Sequence, residues 1–348
     1  MRIGILGFGR FGRALAALLH DAGHAYRAWD PVADIPAERR AASLRDLVDV
    51  HEALVLAVPI PALGGALETL RPHLRPDQLL FDVGSVKVGP CALLDQHLGA
   101  AIPHAGTHPL FGPVSLARAE RPLRVVLCAS PRHPDAADRV EALFRSLGCE
   151  VLRQSAEDHD RVMATTHALT FFIAKGLLAV GAGAELPFTP PSFHAIARTL
   201  ESVREDAGHL FAALQNENPF AAGAREGLLE ALSAIHASLA EAVQSGVGGE
   251  QLAIPDLGSR SPALQEARDH IDALDQELVA LLARRTELVL RAGRAKAELS
   301  LPVHDPEREA AQLRARRAWA EAAGLSPQGV EEVFRSVLRS SRSAQGGG

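Results

Sequence analysis

The chain has few cysteines, no long basic block and no leader-like start. Its only cysteines are Cys91, Cys128 and Cys149, which are odd in number and lack the spacing of metal ligands. This excludes a disulfide framework and predicts a reducing, cytoplasmic location without a metal site. The formal net charge of −6 gives a nucleic-acid or anionic-membrane partner no electrostatic support. The start, MRIGILGFGR, is typical of a strand and turn rather than of a secretory leader.

One long apolar segment, HALTFFIAKGLLAVGAGA, covers residues 167–184. Lys175 lies at its middle, and His167 and Thr170 interrupt its start, although such polar groups are costly inside a bilayer. We therefore expect a buried helix of a helical domain rather than a membrane span.

Apolar periodicity divides the 348 residues into an α/β part and two all-α parts. In residues 1–155, short apolar runs (RIGILG, AYRAWD, ALVLAVP, QLLFDVGS and LRVVLCA) alternate with helical patterns, which predicts a Rossmann-like domain of parallel βαβ units. Residues 156–245 show helical periodicity alone. Residues 246–261 are rich in Gly, Ser and Pro and are predicted to be a linker. Residues 262–345 predict three further helices, separated by breaks at SLPVHDP and GLSP.

The segment GILGFGRFGRAL contains a G-x-G-x-x-G pattern, made by Gly7, Gly9 and Gly12, between an apolar strand and a helix. Such glycines let the turn close and let the backbone approach a pyrophosphate. Asp30 follows the next strand, where a carboxylate accepts from a ribose 2′-hydroxyl and repels a 2′-phosphate. The pattern predicts an NAD site, and the alternative is a tight turn without a ligand.

The segments FDVGSVK and GTHPLFGP follow at the ends of predicted strands, where doubly wound sheets place their ligands. His108 is the candidate acid or base, Ser85 a hydroxyl donor, and Lys87 a nearby charge. Oxidation of a carbinol carbon by hydride transfer requires a group that takes or holds the hydroxyl proton. The alternative is that His108, which precedes a proline, is structural.

These segments, together with DHDRVMATTHAL, resemble prephenate dehydrogenases over residues 1 to about 245. The resemblance implies that His108 hydrogen-bonds the ring hydroxyl of prephenate with the help of Ser85, while hydride passes to NAD and the ring loses carbon dioxide. It also implies that the helical part closes the substrate cleft and forms a dimer interface. His167 either contacts the substrate or packs as a helix residue.

The resemblance is incomplete at the substrate carboxylate. Family members place an arginine on the helix before an ED or QD pair, and alignment on residues 205–206 puts Glu201 or Ser202 there. Arg198, one helical turn earlier on the same face, or Arg204 can take its place. The choice between prephenate and its amino analogue arogenate therefore stays open.

The C-terminal part places cations on an apolar helix stripe. Counted in sevens, Arg285 falls on a line otherwise made of Leu264, Ile271, Leu278, Ala292 and Leu299. Arg268 and Lys296 lie on the adjacent line. After the helix break come Asp305, Arg308 and Glu309, and Ser341 and Gln345 continue the stripe of Val330, Phe334 and Val337.

Three buried or half-buried cations need negative partners. One alternative is a helical hairpin whose charges are solvated, with a salt bridge from Asp275 or Glu309 to one of the cations. Such a bridge cannot easily satisfy three cations. A small dianionic ligand with further hydroxyl and ether oxygens can satisfy all three cations, and this is the interpretation that we favour.

The segments ARDHIDALDQELVALLARR, GRAK, PVHDPERE and FRSVLRSSRSAQ resemble the all-helical chorismate mutases over residues 262–345. The resemblance implies that the substrate carboxylates are held by Arg268, Arg285, Arg308 and Ser341. It further implies that Lys296 and Gln345 meet the ether oxygen, and that Asp305 and Glu309 engage the ring hydroxyl. Family members are intertwined homodimers in which the first arginine, here Arg268, reaches into the partner's site. The rearrangement moves no proton, so positioning and charge stabilisation suffice.

Together, the two resemblances imply a bifunctional enzyme of tyrosine synthesis. Chorismate would be rearranged to prephenate, which would then be oxidised with NAD to 4-hydroxyphenylpyruvate. The alternatives are an arogenate or other small hydroxy-acid dehydrogenase, and a helical part that serves only for dimerisation or ligand sensing.

Overall fold

A computed structural model describes residues 1–182, 188–205, 209–245, 263–299, 301–302 and 304–346 of the chain. The predicted linker, residues 246–261, lies outside the described residues. The chain divides into two compact units. The N-terminal unit consists of Met1–Leu116 and Pro122–Ala253, and the C-terminal unit of Ala117–Arg121 and Ile254–Gly348.

One seven-stranded sheet forms the centre of the N-terminal unit, in the order β2-β1-β3-β4-β5-β6-β7. The strands are β1 Ile3–Leu6, β2 Tyr26–Trp29, β3 Ala53–Leu56, β4 Leu79–Asp82, β5 His104–Pro109, β6 Leu123–Ala129 and β7 Cys149–Arg153. The helices between them are α1 Arg10–Asp21, α2 Leu44–Val50, α3 Ile60–Leu70, α4 Val88–Leu98, α5 Pro113–Ala117 and α6 Pro134–Ser146. The predicted α/β architecture is confirmed.

The prediction of parallel pairing throughout was wrong at one place. Strands β5 and β6 pair antiparallel, with His108 opposite Val126, whereas the other pairs in the sheet are parallel. The connection between them contains only the five-residue helix α5, and a parallel return needs a full crossover, usually a longer helix. In addition, β7 was not predicted as a strand, and β5 extends through the segment GTHP that was predicted to follow a strand.

Strands β1, β3 and β4 are buried along their whole lengths. A strand covered on both faces by helices is apolar without alternation, which explains the continuous runs in the sequence. Helix α1 buries Leu15 and Leu19 in the core on one face of the sheet, and α3 buries Leu63 and Leu67 in the core on the other. The sheet is thus a rigid support for the loops at its edge.

The rest of the N-terminal unit is helical. Its helices are α7 Ala156–Met163, α8 Leu169–Ala179, α9 Pro191–Glu205, α10 His209–Ala212 and α11 Ala221–Ser245, with π-helical turns at Ala164–Ala168 and Ala213–Glu217. The two π turns are tied together because Gln215 Nε2 donates to Ala168 O over 2.7 Å. Asn218 Nδ2 donates to Asp160 O over 2.8 Å and so fixes the end of the second π turn against α7.

The apolar segment predicted to be a buried helix is buried on one face only. Ala168, Phe171 and Ala174 are buried, whereas Ile173 and Val180 are 43% and 80% exposed. The run Ala156–Ala179 has the length and composition of a helix that could cross a membrane, and 22% of its apolar 18-residue window is buried. The expectation of a buried helix therefore holds on one face only.

The C-terminal unit contains the three predicted helices, α12 Ala263–Glu298, α13 Pro306–Ala322 and α14 Pro327–Gly346. Asp305 begins α13 as its N-cap, since Asp305 Oδ1 accepts from the backbone N–H of Arg308 over 3.0 Å. Gly324 ends it with a φ of +70°, which a glycine adopts without strain. The predicted helical architecture is confirmed.

Candidate active sites

The loop between β1 and α1 has the geometry of a pyrophosphate-binding turn. Gly7 has a φ of +97°, and a Cβ there would lie 2.5 Å from Ala57 O. A Cβ on Gly12 would lie 2.2 Å from Gly7 O, so only glycine lets α1 start this close to the strand. A Cβ on Gly9 would meet open space, which is the side from which a phosphate can approach the backbone. The residues present therefore fit a dinucleotide.

Asp30 follows β2, and its carboxylate stabilises the loop between β1 and α1 through hydrogen bonds. Asp30 Oδ2 accepts from Phe8 N over 2.7 Å, and Oδ1 accepts from Val32 N and Ala33 N over 2.9 and 2.8 Å. Burial alone would raise the pKa of Asp30, but these backbone donors and Arg13 lower it below its usual value. Asp30 is therefore an anion beside the loop, and part of its hydrogen-bonding capacity is used to shape the loop itself.

His108 lies within β5, one residue before its end, rather than after a strand as predicted. Its ring is buried, and Nδ1 lies 2.8 Å from Nε2 of His159. Nδ1 of His159 in turn lies 2.7 Å from Oδ1 of Asp160. The three side chains form a buried row that leads from α7 into the sheet.

Asp160 is held by the beginning of α4. Its Oδ1 accepts from Lys87 N over 2.7 Å and its Oδ2 accepts from Val88 N over 2.8 Å, so the carboxylate caps that helix. A carboxylate that receives two N–H groups acts as an acceptor toward His159, whose Nδ1 must then donate. His159 Nε2 is left to accept from Nδ1 of His108. This order of hydrogen bonds leaves Nε2 of His108 with its lone pair.

The environment keeps His108 neutral. Burial lowers the pKa of His108 well below its ordinary value, and electrostatic interactions with His159, Lys87 and His167 lower it further. A neutral imidazole with a free Nε2 can accept a proton or a hydrogen bond from a hydroxyl group.

The other predicted residues of this site have different surroundings. Ser85 is half-buried in the loop after β4. Lys87 is fully buried, where its ammonium pairs with the Asp82 carboxylate and donates to Thr107 O over 2.6 Å. Lys87 therefore joins β4 to β5 rather than offering a free charge to a ligand.

The candidate carboxylate-binding arginines lie on α9. Arg198 and Arg204 are both exposed in the unit. Asp206, which anchors the alignment with the family pattern, lies outside the described residues. His167 lies in the first π turn with its ring 4.9 Å from the ring of Phe171, and an electrostatic interaction with His167 lowers the pKa of His108. His167 thus packs against a neighbouring helix residue, and the roles of the two arginines stay predictions.

His159 and Asp160 were not assigned roles from the sequence. The segment DHDRVMATTHAL alternates acidic and imidazole groups at the start of a helix, and polar residues there are usually solvated. Burial of both side chains, at 1% and 0% exposure, is what distinguishes them. The available signal was adjacency: a histidine followed by an acid on the helix after the last strand.

In the C-terminal unit, Arg285 is half-buried and donates to Ser341 Oγ over 2.5 Å. Ser341 Oγ itself donates to Val337 O over 2.7 Å, which leaves its lone pairs to the guanidinium. Burial lowers the pKa of Arg285, and the nearby cation of Arg316 lowers it further. Among the described residues, the polar partner of Arg285 is thus a hydroxyl group instead of a carboxylate, which leaves its charge uncompensated.

Glu309, in the first turn of α13, pairs with Arg342 of α14 rather than with Arg285. Nη1 of Arg342 lies 2.6 Å from both carboxylate oxygens, and Nε2 of His304 lies 3.7 Å from Oε2. Arg342 was not singled out in the sequence, because its position between Ser341 and Gln345 interrupts the apolar stripe like an ordinary surface charge. Arg308 is exposed one residue before Glu309.

Gln345 crosses from α14 to α12. Its Nε2 donates to Val289 O over 2.6 Å, and a Cβ on Gly293 would lie 3.2 Å from its Cγ. Gly293 therefore provides the space in which the amide lies. Lys296 is half-buried one turn further along α12. Arg268 lies in the same helix, but its side chain is outside the described residues.

Two family models match the chain. One, the nucleotide-binding domain of prephenate dehydrogenase, covers residues 34–152. The other, chorismate mutase type II, covers residues 267–346. The two matches do not overlap: the first falls on the N-terminal unit, apart from Ala117–Arg121, and the second falls on the C-terminal unit.

Similar proteins match parts of the chain. A T-protein of Haemophilus influenzae is 48% identical over 79 residues, which are 23% of this chain and 21% of that protein. Arogenate dehydrogenase 1 of Arabidopsis thaliana is 29% identical over 234 residues, which are 61% of this chain and 35% of that protein. The chain thus spans about a fifth and about a third of the lengths of these relatives.

A crystal structure of prephenate dehydrogenase from A. aeolicus, in complex with hydroxyphenyl propionate and NAD+, has a TM-score of 0.57. The superposition covers 80% of this chain and 98% of that one at 18% sequence identity. A likeness at this identity shows a shared fold.

Proposed function

Since the chain belongs to the prephenate dehydrogenase family through residues 34–152 and to the type II chorismate mutase family through residues 267–346, we propose that it catalyses two consecutive reactions. The C-terminal unit rearranges chorismate to prephenate. The N-terminal unit oxidises and decarboxylates prephenate to 4-hydroxyphenylpyruvate, with NAD as the hydride acceptor. The observation that carries the proposal is the presence of both sites on one chain, because the product of one is the substrate of the other.

In the dehydrogenase reaction, Nε2 of His108 accepts the hydrogen bond of the substrate ring hydroxyl and holds its proton while the carbonyl forms. The row of His159 and Asp160 keeps the imidazole in the required tautomer. Ser85 supplies a second hydroxyl contact in the same cleft. Bound NAD supplies a hydride acceptor. Loss of carbon dioxide and formation of an aromatic ring drive the reaction, so the protein chiefly positions its groups.

Asp30 supports NAD as the preferred cofactor. An anionic carboxylate after β2 accepts from a ribose 2′-hydroxyl and repels a 2′-phosphate. Arginines also line a cavity of about 830 Å³ beside Phe8, but two of them have carboxylate partners. Arg27 lies 3.5 Å from Asp46, and Arg40 lies 3.1 Å from Asp34.

The cofactor preference is tested by initial rates with NAD and NADP in the wild type and in two variants. Asp30→Asn keeps an oxygen that can accept from the loop but removes the charge, so it should relax discrimination against NADP. Asp30→Ala also removes the loop contacts and should weaken NAD binding further. A wild type that already prefers NADP would show that Asp30 does not select the cofactor.

In the mutase reaction, the substrate is a dianion and no proton moves. Arg285 and Arg308 hold its carboxylates with Ser341, while Lys296 and Gln345 stabilise the charge that develops on the ether oxygen as its bond breaks. Asp305 and Glu309 engage the ring hydroxyl. The uncompensated charge of half-buried Arg285 supports an anionic ligand at this place.

A homodimer accounts for the apolar surfaces of both units. One face of α11 exposes Leu229, Leu232, Ile235 and Leu239, each about half accessible. Helix α12 similarly exposes Ile271, Leu274, Leu278 and Leu281. Patches of this kind mark interfaces in a protein that folds in water. The proposal is tested by sedimentation, where a monomer at micromolar concentration would contradict it.

The length of α12 supports an intertwined arrangement. Arg268 and Arg285 are 17 positions apart on one continuous helix, so about 25 Å separates them at 1.5 Å per residue. Arg268 therefore cannot reach the site around Arg285 in the same chain, whereas a second copy running alongside can supply it. Cys91, Cys128 and Cys149 form no disulfide in the structure, and a reducing cytoplasm is the location proposed for the protein.

The function is tested by supplying the purified protein with chorismate and NAD and following NADH. Formation of NADH that requires both compounds supports both activities. NADH from prephenate but not from chorismate would leave the C-terminal unit as a dimerisation or ligand-sensing module. A preference for arogenate or another small hydroxy acid over prephenate would change the substrate but keep the dehydrogenase.

A further inference from the structure

The last two turns of α14 contact both other helices of the C-terminal unit. Ser341 accepts a hydrogen bond from Arg285 of α12, and Gln345 donates to a backbone carbonyl of the same helix. Between them, Arg342 extends to α13 and grips both oxygens of Glu309. Because Ser341 and Arg342 are neighbours, the Arg285 and Glu309 side chains are held at the same level of α14.

The pair of Arg342 and Glu309 differs from an ordinary surface ion pair. The two side chains are 38% and 24% exposed, and one guanidinium nitrogen contacts both carboxylate oxygens at 2.6 Å. A contact of this kind fixes the direction of the carboxylate as well as its charge. The neighbouring Arg339 makes no such contact among the described residues, and its side chain donates to Ser336 Oγ in the same helix.

A carboxylate beside a dianionic substrate creates an electrostatic conflict. Glu309 has to remain close to the substrate ring in order to engage its hydroxyl group, yet its negative charge repels the two substrate carboxylates. At separations of a few ångströms in a partly buried site, such repulsion is strong enough to reduce binding measurably. A cation bound to both oxygens of the carboxylate removes most of this repulsion.

We propose, on the basis of the mutase function proposed above, that Arg342 is a positioning residue of the C-terminal site. It compensates the charge of Glu309 and orients its carboxylate, so that a dianionic ring compound can bind beside it. Arg342 acts through Glu309 and does not itself contact the substrate.

The experiment compares KM and kcat for chorismate in the full-length chain. Arg342→Met should raise KM about 10- to 100-fold, the usual effect of losing a charge-assisted hydrogen bond, with a smaller change in kcat. Arg342→Lys keeps the charge and should recover most of the affinity. Arg339→Met is the matched control, because it removes one positive charge from the same helix and should leave KM unchanged.

A double-mutant cycle separates the proposed role from direct substrate contact. In a Glu309→Gln background, Arg342→Met should have little further effect on KM, because no charge is left to compensate. Equal effects of Arg342→Met in both backgrounds would mean that Arg342 binds the substrate itself, and would overturn the proposal. An Arg342→Met chain with the KM of the wild type would overturn it as well.

The split between KM and kcat, together with the recovery by Arg342→Lys, is the readout that a merely structural role would not affect. Oxidation of supplied prephenate and the thermal unfolding midpoint show whether each variant is folded. If the wild type does not rearrange chorismate, the proposed function fails, and the calorimetric Kd of chorismate then tests Arg342 in the same set of variants.

Discussion

At the scale of the residue, the lone pair on Nε2 of His108 is the group on which the dehydrogenase proposal depends. His108→Asn should lower the dehydrogenase kcat about 10²- to 10⁴-fold, the usual effect of removing a general acid or base. Mutase activity and NAD binding should remain, since neither involves this ring. The measurement is steady-state oxidation of prephenate, and near-normal turnover in this variant would remove His108 from the mechanism.

The lowered pKa of His108 predicts the form of the pH profile. The base works when neutral, and a depressed pKa keeps it neutral as the pH falls, so the acid limb of kcat/KM should lie well below pH 6.5. His159→Gln retains an oxygen that can accept from Nδ1 of His108 but removes an imidazole whose electrostatic interaction with His108 lowers the pKa of His108. Its acid limb should therefore move upward in pH. A limb that does not move would show that His159 leaves the base unaffected.

The sequence singled out His108, Ser85 and the glycines from their spacing relative to predicted strands, and their roles stay predictions. It was insufficient for His159 and Asp160, because their roles depend on which side of α7 faces the sheet, and eight residues of polar helix do not carry that information. The role of Arg342 was not predicted for a related reason: its partner, Glu309, is 33 positions away on another helix.

At the scale of the element, a substitution at Gly293 tests how closely α12 packs against α14. Gly293→Ala should stabilise α12 by up to about 1 kcal/mol through helix propensity. The new Cβ, however, would lie 3.2 Å from Cγ of Gln345, so the amide must shift by a few tenths of an ångström. We expect mutase kcat to fall several-fold while the thermal midpoint stays or rises. Unchanged kcat would show that the place of Gln345 is not critical.

The end of α14 should be required for one activity only. A chain that ends at Leu338 loses Ser341, Arg342 and Gln345 but keeps most apolar contacts of the helix. It should fold, bind NAD and oxidise supplied prephenate, yet fail to convert chorismate. Removal of Gly346–Gly348 alone is the control and should be harmless. Both activities are measured in both truncations, and a Leu338 truncation with full mutase activity would exclude this end of the proposed site.

Helices were easier to predict than strands. The bounds of α12, α13 and α14 follow from a sustained 3.6-residue period and from breaks at proline and glycine, which are local signals. The antiparallel pairing of β5 with β6 depends on how the chain returns to the sheet, and apolar periodicity is identical for both strand directions. The exposure of one face of the 167–184 segment was not predicted either, because apolar composition does not distinguish a helix face in a core from a helix face at an interface.

At the scale of the whole molecule, the two proposed sites lie in separate units, so their activities should be separable by mutation. His108→Asn should retain the mutase, and Lys296→Ala should retain the dehydrogenase while losing about 10²- to 10³-fold in the mutase rate. A mixture of the two variants should then form NADH from chorismate, because prephenate released by one is oxidised by the other. A mixture without activity, alongside an active wild type, would mean that prephenate does not exchange between chains.

Asp160 has a consequence for motion. The same carboxylate that orients His159 also caps α4, through the amides of Lys87 and Val88. Any fluctuation that separates α7 from α4 must break these bonds together, so His108, the proposed base, loses the row of partners that fixes its tautomer when the two helices part. A substrate that enters while the two helices are apart would find His108 without the partners that fix its tautomer. His108 could then act as the base only after the helices come together again. The hydrogen-exchange rates of the Lys87 and Val88 backbone amides therefore measure how often the two helices separate and His108 loses its tautomer.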